Sequence, residues 1–300
     1  MSTPEASTVP GWPVAFRGTA AIAAGLLTPG ELRGKRFQRL YPDTYVRTPK
    51  HGPPNLALRS HAAYRYLEPD GVLSGYSAAE LLGASCGPWD APAEVTVPNR
   101  GQRRPAGLIV HRAQLLPGEI KQVRGLRVTS PVRTAYDLAR RGDLVERVVA
   151  VDRLANVHRF YPDLLLNFTA RNRRARGNDL VPYVLAYADR RAGSPMETRL
   201  RMLIVQAGLP KPEVQWVVQD EHTHTAVWLD LAWPDHMIGI EYEGEGHTDP
   251  DQVLHDIGRY TALVDKGWRI YRYTKQEILR RPAQIVAQLT RARQHTRSTP

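Results

Sequence analysis

The chain has 300 residues, of which 42% are hydrophobic and 24% charged, and a formal net charge of +11. That length allows two domains, and the lone cysteine, Cys86, excludes an intrachain disulfide framework and a cysteine-rich zinc site. No stretch reaches the roughly 18 apolar residues of a bilayer span, and the amino terminus lacks a basic segment followed by an apolar run, so a cytoplasmic protein without a membrane anchor is expected.

The charge is unevenly placed. Residues 1–190 hold 27 Lys and Arg against 16 Asp and Glu, whereas residues 191–300 hold 14 of each. The basic excess therefore lies wholly in the first part and suits a polyanionic partner; an Arg-rich solvated surface is the plainer alternative.

Residues 1–15, with three Pro and small polar residues, read as a loose tail. A small-residue helix is predicted from Arg17 to Leu27, a short one from Glu31 to Lys35, then strands Phe37–Leu40 and Thr44–Arg47 joined at Tyr41-Pro42-Asp43. Two short helices followed by a hairpin is the order of a winged helix-turn-helix, expected over 16–50. Arg33, Lys35, Arg36, Arg39 and Arg47 would supply its phosphate contacts. Helices are predicted at 55–67 and 77–83, and strands at 94–98 and 108–112 around a basic loop, Asn99–Arg104. Ser130-Pro131 starts another helix, with Ser at the N-cap and Pro at the first position. Further helices are expected near 143–154, 162–170 and 179–190, with the basic turn Arg171–Gly177 read as a solvated loop.

The basic helical start, the hairpin around Tyr41 to Arg47, Ser77-Ala78-Ala79-Glu80-Leu81-Leu82-Gly83, and Gly125-Leu126-Arg127-Val128-Thr129-Ser130-Pro131-Val132-Arg133-Thr134-Ala135-Tyr136-Asp137-Leu138 resemble the AbiEi-type antitoxin and regulator family over roughly residues 15–155. The resemblance implies an amino-terminal winged helix that binds promoter DNA, an AbiEi-like α/β region at 51–160, a helical connector at 161–192, and a possible toxin partner.

Ser194-Pro195-Met196-Glu197 opens the next helix, with Met196, Leu200, Leu203 and Ile204 on its apolar face and Gly208 at its end. A capping box suffices to explain Glu197. Strands follow at 214–219, 226–232 and 237–243, then a helix from Asp249 to about Lys266, a strand at 268–273 and two helices split by Pro282. Within Val227–His247, the carboxylates Asp230, Glu241 and Glu243 interrupt otherwise apolar strands. Like charges held close together repel unless a cation sits among them, and a divalent cation on oxygen ligands is the economical reading.

The order α-β-β-β-α-β over 193–295, with Asp on the second strand and Glu ending the third, resembles the restriction-endonuclease-like PD-(D/E)XK fold. Ser194-x-x-Glu197, Leu229-Asp230-Leu231-Ala232-Trp233, Ile240-Glu241-Tyr242-Glu243-Gly244, His247, Asp256-x-x-Arg259 and Gly267-Trp268-Arg269-Ile270-Tyr271-Arg272 are similar more narrowly to a domain family related to very-short-patch-repair (Vsr) endonucleases. The resemblance implies a Mg²⁺- or Mn²⁺-dependent DNA endonuclease. Asp230, Glu241 and Glu243 would bind the metal, and Glu197, His247 and Arg259 would assist. Position 243 departs from the superfamily's usual Lys, although an acidic residue there is usual for this branch. The alternative is a regulator or antitoxin that keeps the nuclease fold without its chemistry.

Blander roles stand beside several of these residues. Asp256 and Arg259, one turn apart, suit a surface ion pair. His222 and His224 read as exposed loop residues, and Trp216, Trp228 and Trp233 as core or sheet-face aromatics rather than base-stacking platforms. The fold class expected for the chain is α/β (α+β).

Overall fold

The computed structural model describes residues 13–98, 104–219, 226–244, 261 and 263–295. It is a mixed α/β fold that divides into two units, Met1–Arg141 with Leu164–Asn178, and Gly142–Asp163 with Asp179–Pro300. The segment expected as a helical connector, 161–192, is thus shared between the units, and the helix before it goes with the carboxyl-terminal half. Among the described residues no helix is long and apolar enough to cross a membrane.

The first unit opens with β1 (Ala15–Arg17), α1 (Gly18–Ala23), α2 (Pro29–Arg33), β2 (Phe37–Tyr41) and β3 (Thr44–Arg47). The strands form a sheet of order β1-β3-β2, the strand arrangement of a winged helix. The tail reading fails at its last residue: Ala15 is buried and pairs with Val46, because a strand placed beside β3 satisfies its open edge. Thr28 starts α2 with the reciprocal bonds of a capping box to Glu31. Ala20–Leu27 is less of a core helix than its composition predicts, since Leu26 is 62% exposed.

A second sheet has the order β6-β5-β4-β8-β7. It is built from β4 (Val72–Leu73), β5 (Ala93–Val97), β6 (Leu108–Arg112), β7 (Ile120–Val123) and β8 (Leu126–Thr129), with helices α3 (Leu56–Leu67), α4 (Gly75–Leu81) and α5 (Pro131–Ala139). Ala62, Ala63, Leu67, Leu73, Val95 and Val128 share one buried cluster. The motif Pro131–Leu138 carries two charges, Arg133 and Asp137, and both are buried. The Arg133 guanidinium donates to Asp137 at 2.9 Å and to Glu119 at 2.6 Å. Arg140 donates to Asp137 at 2.7 Å, and Arg141 reaches Glu94 at 3.3 Å. Glu94 also accepts from the Tyr76 backbone N–H at 2.9 Å, and its carboxylate lies against Gly75, where any Cβ would approach it to 2.3 Å. The final helix of this unit is α7 (Leu165–Arg171).

In the second unit α6 (Leu144–His158), capped by Asp143, packs on α9 (Pro195–Gln206). α8 (Val181–Leu185) lies between them in sequence. Asp152 of α6 is fully buried and accepts from Arg201 at 2.6 Å, Thr198 at 2.9 Å and the Asp189 backbone N–H at 2.7 Å. The sheet, of order β12-β11-β10-β9, comprises β9 (Glu213–Gln219), β10 (Ala226–Trp233), β11 (Ile238–Glu243) and β12 (Arg269–Thr274). β12 runs parallel to β11, as a crossover between them requires. Residues 261 and 263–265 are helical, and Gly267, at φ 82°, follows them in the left-handed region, as predicted. α10 (Lys275–Arg280) and α11 (Pro282–His295) finish the chain and cover one sheet face through Ile278, Ile285 and Leu289.

Candidate acidic site and basic groove

Two acidic residues of the second unit, Glu197 and Asp230, meet at a distorted point of its sheet. β10 and β11 pair regularly from Trp233↔Ile238 to Leu231↔Ile240. Asp230 and Glu241 are the next residues beyond that rung. Since Leu231 and Ile240 both enter one core cluster, strand alternation sends Asp230 and Glu241 together to the other face. Asp230 turns its carboxylate onto the neighbouring strand and accepts the Tyr242 backbone N–H at 2.9 Å. Glu241 is 5% exposed.

Gln215, on β9, was not among the residues picked out from sequence. Its φ is 54°, a left-handed backbone inside a strand, where a non-glycine residue costs roughly 1–3 kcal/mol. Its amide nitrogen lies 3.0 Å from Glu197 Oε2 and 3.5 Å from Asp230 Oδ1. The strained residue therefore bridges two carboxylates from separate elements. A polar residue in Val214-Gln215-Trp216 gives no warning of this; only the pairing of β9 with β10 reveals it.

Glu197 is positioned by the first turn of α9. Ser194 Oγ accepts the Glu197 backbone N–H at 3.2 Å, which is half of the expected capping box. The return bond goes elsewhere, because Glu197 Oε2 accepts the N–H of Gly193, one residue before the cap, at 2.8 Å. Burial pushes the Glu197 carboxyl up from its ordinary pKa. Bonds from Gly193, Ser194 and Gln215 and the charge of Arg153 oppose that shift.

Glu243 stands apart, half-exposed and paired with Arg272 of β12 at 3.1 Å. Arg272 sits opposite Glu241 in the parallel register of β11 and β12. His247 and Arg259, with Asp256, His222 and His224, lie outside the described residues. Of the three tryptophans, Trp233 is buried and donates to the Pro210 carbonyl at 3.0 Å, while Trp216 and Trp228 are exposed on the sheet.

Carboxylate oxygens are suitable donors for a hard divalent cation. Among the described residues, however, no three His, Cys, Asp or Glu side chains converge closely enough to hold one. Asp230 and Glu197 already accept backbone N–H groups, and Glu243 faces Arg272. As described, Asp230, Glu241 and Glu243 do not fit a Mg²⁺ or Mn²⁺ centre by themselves.

The first unit carries a basic groove. A cavity of about 750 Å³ lies between α2 and the β2–β3 hairpin, lined by Arg33, Lys35, Arg39, Phe37 and Tyr45 among others. Arg36 stacks over Phe37 with its guanidinium carbon 5.2 Å from the ring centre. Of the five cations named from sequence, Arg33, Lys35 and Arg39 line this groove and Arg36 lies over its Phe37, while Arg47 is not among the lining residues. Most of the basic loop Asn99–Arg104 lies outside the described residues.

Residues 71–185 match the family described as the AbiEi antitoxin C-terminal domain. The segment spans the second sheet, the Arg133–Asp137 motif and α6. A crystal structure of the RV2827C protein from Mycobacterium tuberculosis aligns over 71% of this chain and 86% of its own, at 16% identity and a TM-score of 0.40, too distant to argue from. Two Mycobacterium tuberculosis sequences, the uncharacterized proteins MT2308 and Rv2248, are each 31% identical over 229 residues, covering 73% of this chain and 83% of theirs. By that extent of shared sequence, the chain belongs to the family of these mycobacterial proteins.

Proposed function

We propose that this protein is a DNA-binding regulator of the AbiEi antitoxin type, with a toxin as its protein partner. Two findings support the reading, the family match over residues 71–185 and the grouping of Arg33, Lys35, Arg36 and Arg39 beside the β2–β3 hairpin. The latter observation carries the nucleic-acid side of the proposal. Four cations on one edge of a small three-stranded sheet neutralise backbone phosphates, and Phe37 and Tyr45 pack beneath them. Affinity for duplex DNA should fall linearly in log K against log salt, with a slope near −0.9 for each phosphate neutralised. Replacing Arg33, Lys35 and Arg39 by Ala should flatten that slope by about 3. A slope unchanged by the triple substitution would remove the groove from the interface.

A second reading, a metal-dependent DNA endonuclease, has one observation in its favour. Glu197, Gln215 and Asp230 meet at a strained point of the sheet, with Glu241 one residue beyond the same rung. The discriminating measurement is nicking of supercoiled plasmid with Mg²⁺ or Mn²⁺ by wild type and Asp230→Ala. Metal-dependent nicking lost in the variant favours the nuclease. Absence of nicking with salt-sensitive binding retained favours the regulator.

A further inference from the structure

The turn joining β7 to β8 is Arg124-Gly125, with φ of 49° and 79°, and the flanking Val123 and Leu126 are ladder partners. A two-residue hairpin loop with left-handed backbone at both positions is of type I′, for which Asn-Gly is the favoured pair. Arginine at the first position carries a steric cost that asparagine largely avoids. Strain of this kind points to a use for the side chain.

Arg124 borders a cavity of about 330 Å³ in the first unit, whose walls include Val14, His61, Tyr64, Arg65 and Leu126. That volume lies at the small end of the ligand-binding range. Its polar lining is largely cationic. Arg65 is paired with Glu68 at 2.7 Å, but Arg124 and His61 make no hydrogen bond or ion pair among the described residues. Burial, and then the charge of Arg124, hold the His61 pKa below its ordinary value. Glu68, the anion in the lining, is taken up by Arg65, so Arg124 and the His61 imidazole face the cavity without a carboxylate of their own.

We propose that this cavity binds a small organic oxyanion, a carboxylate or a phosphate monoester, with Arg124 as its charge partner and Tyr64 and Leu126 against its apolar body. The proposal is independent of DNA binding by the basic groove. A bound anion offsets the repulsion of Arg124 and favours protonated His61. Affinity therefore rises as pH falls below neutrality into the mildly acidic range. The other charged or titratable groups facing His61 are Tyr64, Arg65 and Glu68 of α3 and Arg124 of the turn, and none of these ordinarily changes charge near neutrality. The Pro13–Ala15 wall contributes none.

The test is calorimetric titration of the full chain with benzoate and, separately, with phenyl phosphate, at constant ionic strength maintained with chloride. One saturable site is expected for at least one probe, and which probe saturates distinguishes the carboxylate from the phosphate ester. In Arg124→Asn the Kd should rise about tenfold or more, the loss expected for one charge-assisted pair. The unfolding midpoint of Arg124→Asn should stay equal or rise, because asparagine suits the left-handed position. His61→Gln should flatten the pH dependence of benzoate binding. No saturation by either probe, or binding that Arg124→Asn leaves unchanged, overturns the proposal. So does phenyl phosphate binding lost only on replacing Arg33, Lys35 and Arg39, since that binding belongs to the basic groove.

Discussion

The two units both bury carboxylates, and they neutralise them differently. In the first unit, Glu119 and Asp137 share the Arg133 guanidinium, Asp137 takes a second from Arg140, and Glu94 has Arg141 and an amide N–H. The second unit uses the same device at Asp152, which meets Arg201 at 2.6 Å with both side chains excluded from solvent. At the centre of its sheet it does something else. Glu197 and Asp230 share the neutral amide of Gln215, a residue held in left-handed backbone, and Arg153 only adds to the pull on Glu197. A cluster in which each carboxylate has its own guanidinium is closed and serves the fold. The Glu197–Asp230 pair is instead bridged by an amide from a strained strand residue, and burial raises the Glu197 pKa, a combination typical of functional sites.

The largest expected effect tests the closed clusters. Arg133→Met leaves the buried Glu119 without its guanidinium and Asp137 with Arg140 as its near cation, and should cost about 3–5 kcal/mol in urea unfolding. A loss below about 1 kcal/mol would show the network to be no more structural than the Gln215 bridge.

A smaller effect follows from Asp152. Burial raises its pKa to about 6 against Arg201, the Asp189 amide and Thr198. An acid whose folded pKa lies above its unfolded one binds more protons in the folded state between the two values. Stability is therefore favoured below the unfolded pKa and declines as pH rises through the window from the ordinary carboxylate range to about 6. The decline should be on the order of 3 kcal/mol, and Asp152→Asn should flatten it. A stability that instead rises across this window in the wild type but not in the variant would mean that Arg201 outweighs burial.

The smallest effect is expected at the open cluster. Asp230→Asn keeps an oxygen to accept the Tyr242 N–H while removing one of the charges near Gln215. Its stability should match wild type to within about 0.5 kcal/mol or exceed it, as is common where residues serve function at the expense of stability. A loss comparable to that of Arg133→Met would place Asp230 among the structural charges and erase the contrast.

Much of the local structure was legible along the chain. Ser194 caps its helix through its side chain as expected, and Ser130 stands at the expected N-cap but makes no side-chain cap bond. The short apolar runs became strands, and glycines after α9 and before β12 adopt left-handed backbone where predicted. Four strands were missed: β1, read as tail and helix start, β8, beside the Ser130 helix start, β4, only two residues long, and β7, with little apolar character; none shows a usable period. The acidic strand residues were visible as interruptions of apolar runs, but Gln215 and Arg272 were not distinguishable as site residues. One depends on the register between β9 and β10, and the other on parallel pairing across a crossover.

Sequence by itself determined the α/β class, the order of strands in the carboxyl-terminal half, the clustering of positive charge in the first 190 residues and the placing of Asp230 and Glu241 in strands, because these follow from short-range periodicity and composition. Tertiary structure alone decided that α6 belongs with the second unit, that the Arg133 motif faces inward, and that an amide from a third strand stands between Glu197 and Asp230. Those outcomes depend on which distant segments desolvate one another's charges, and a buried carboxylate carries no mark in the sequence of the partner it will meet.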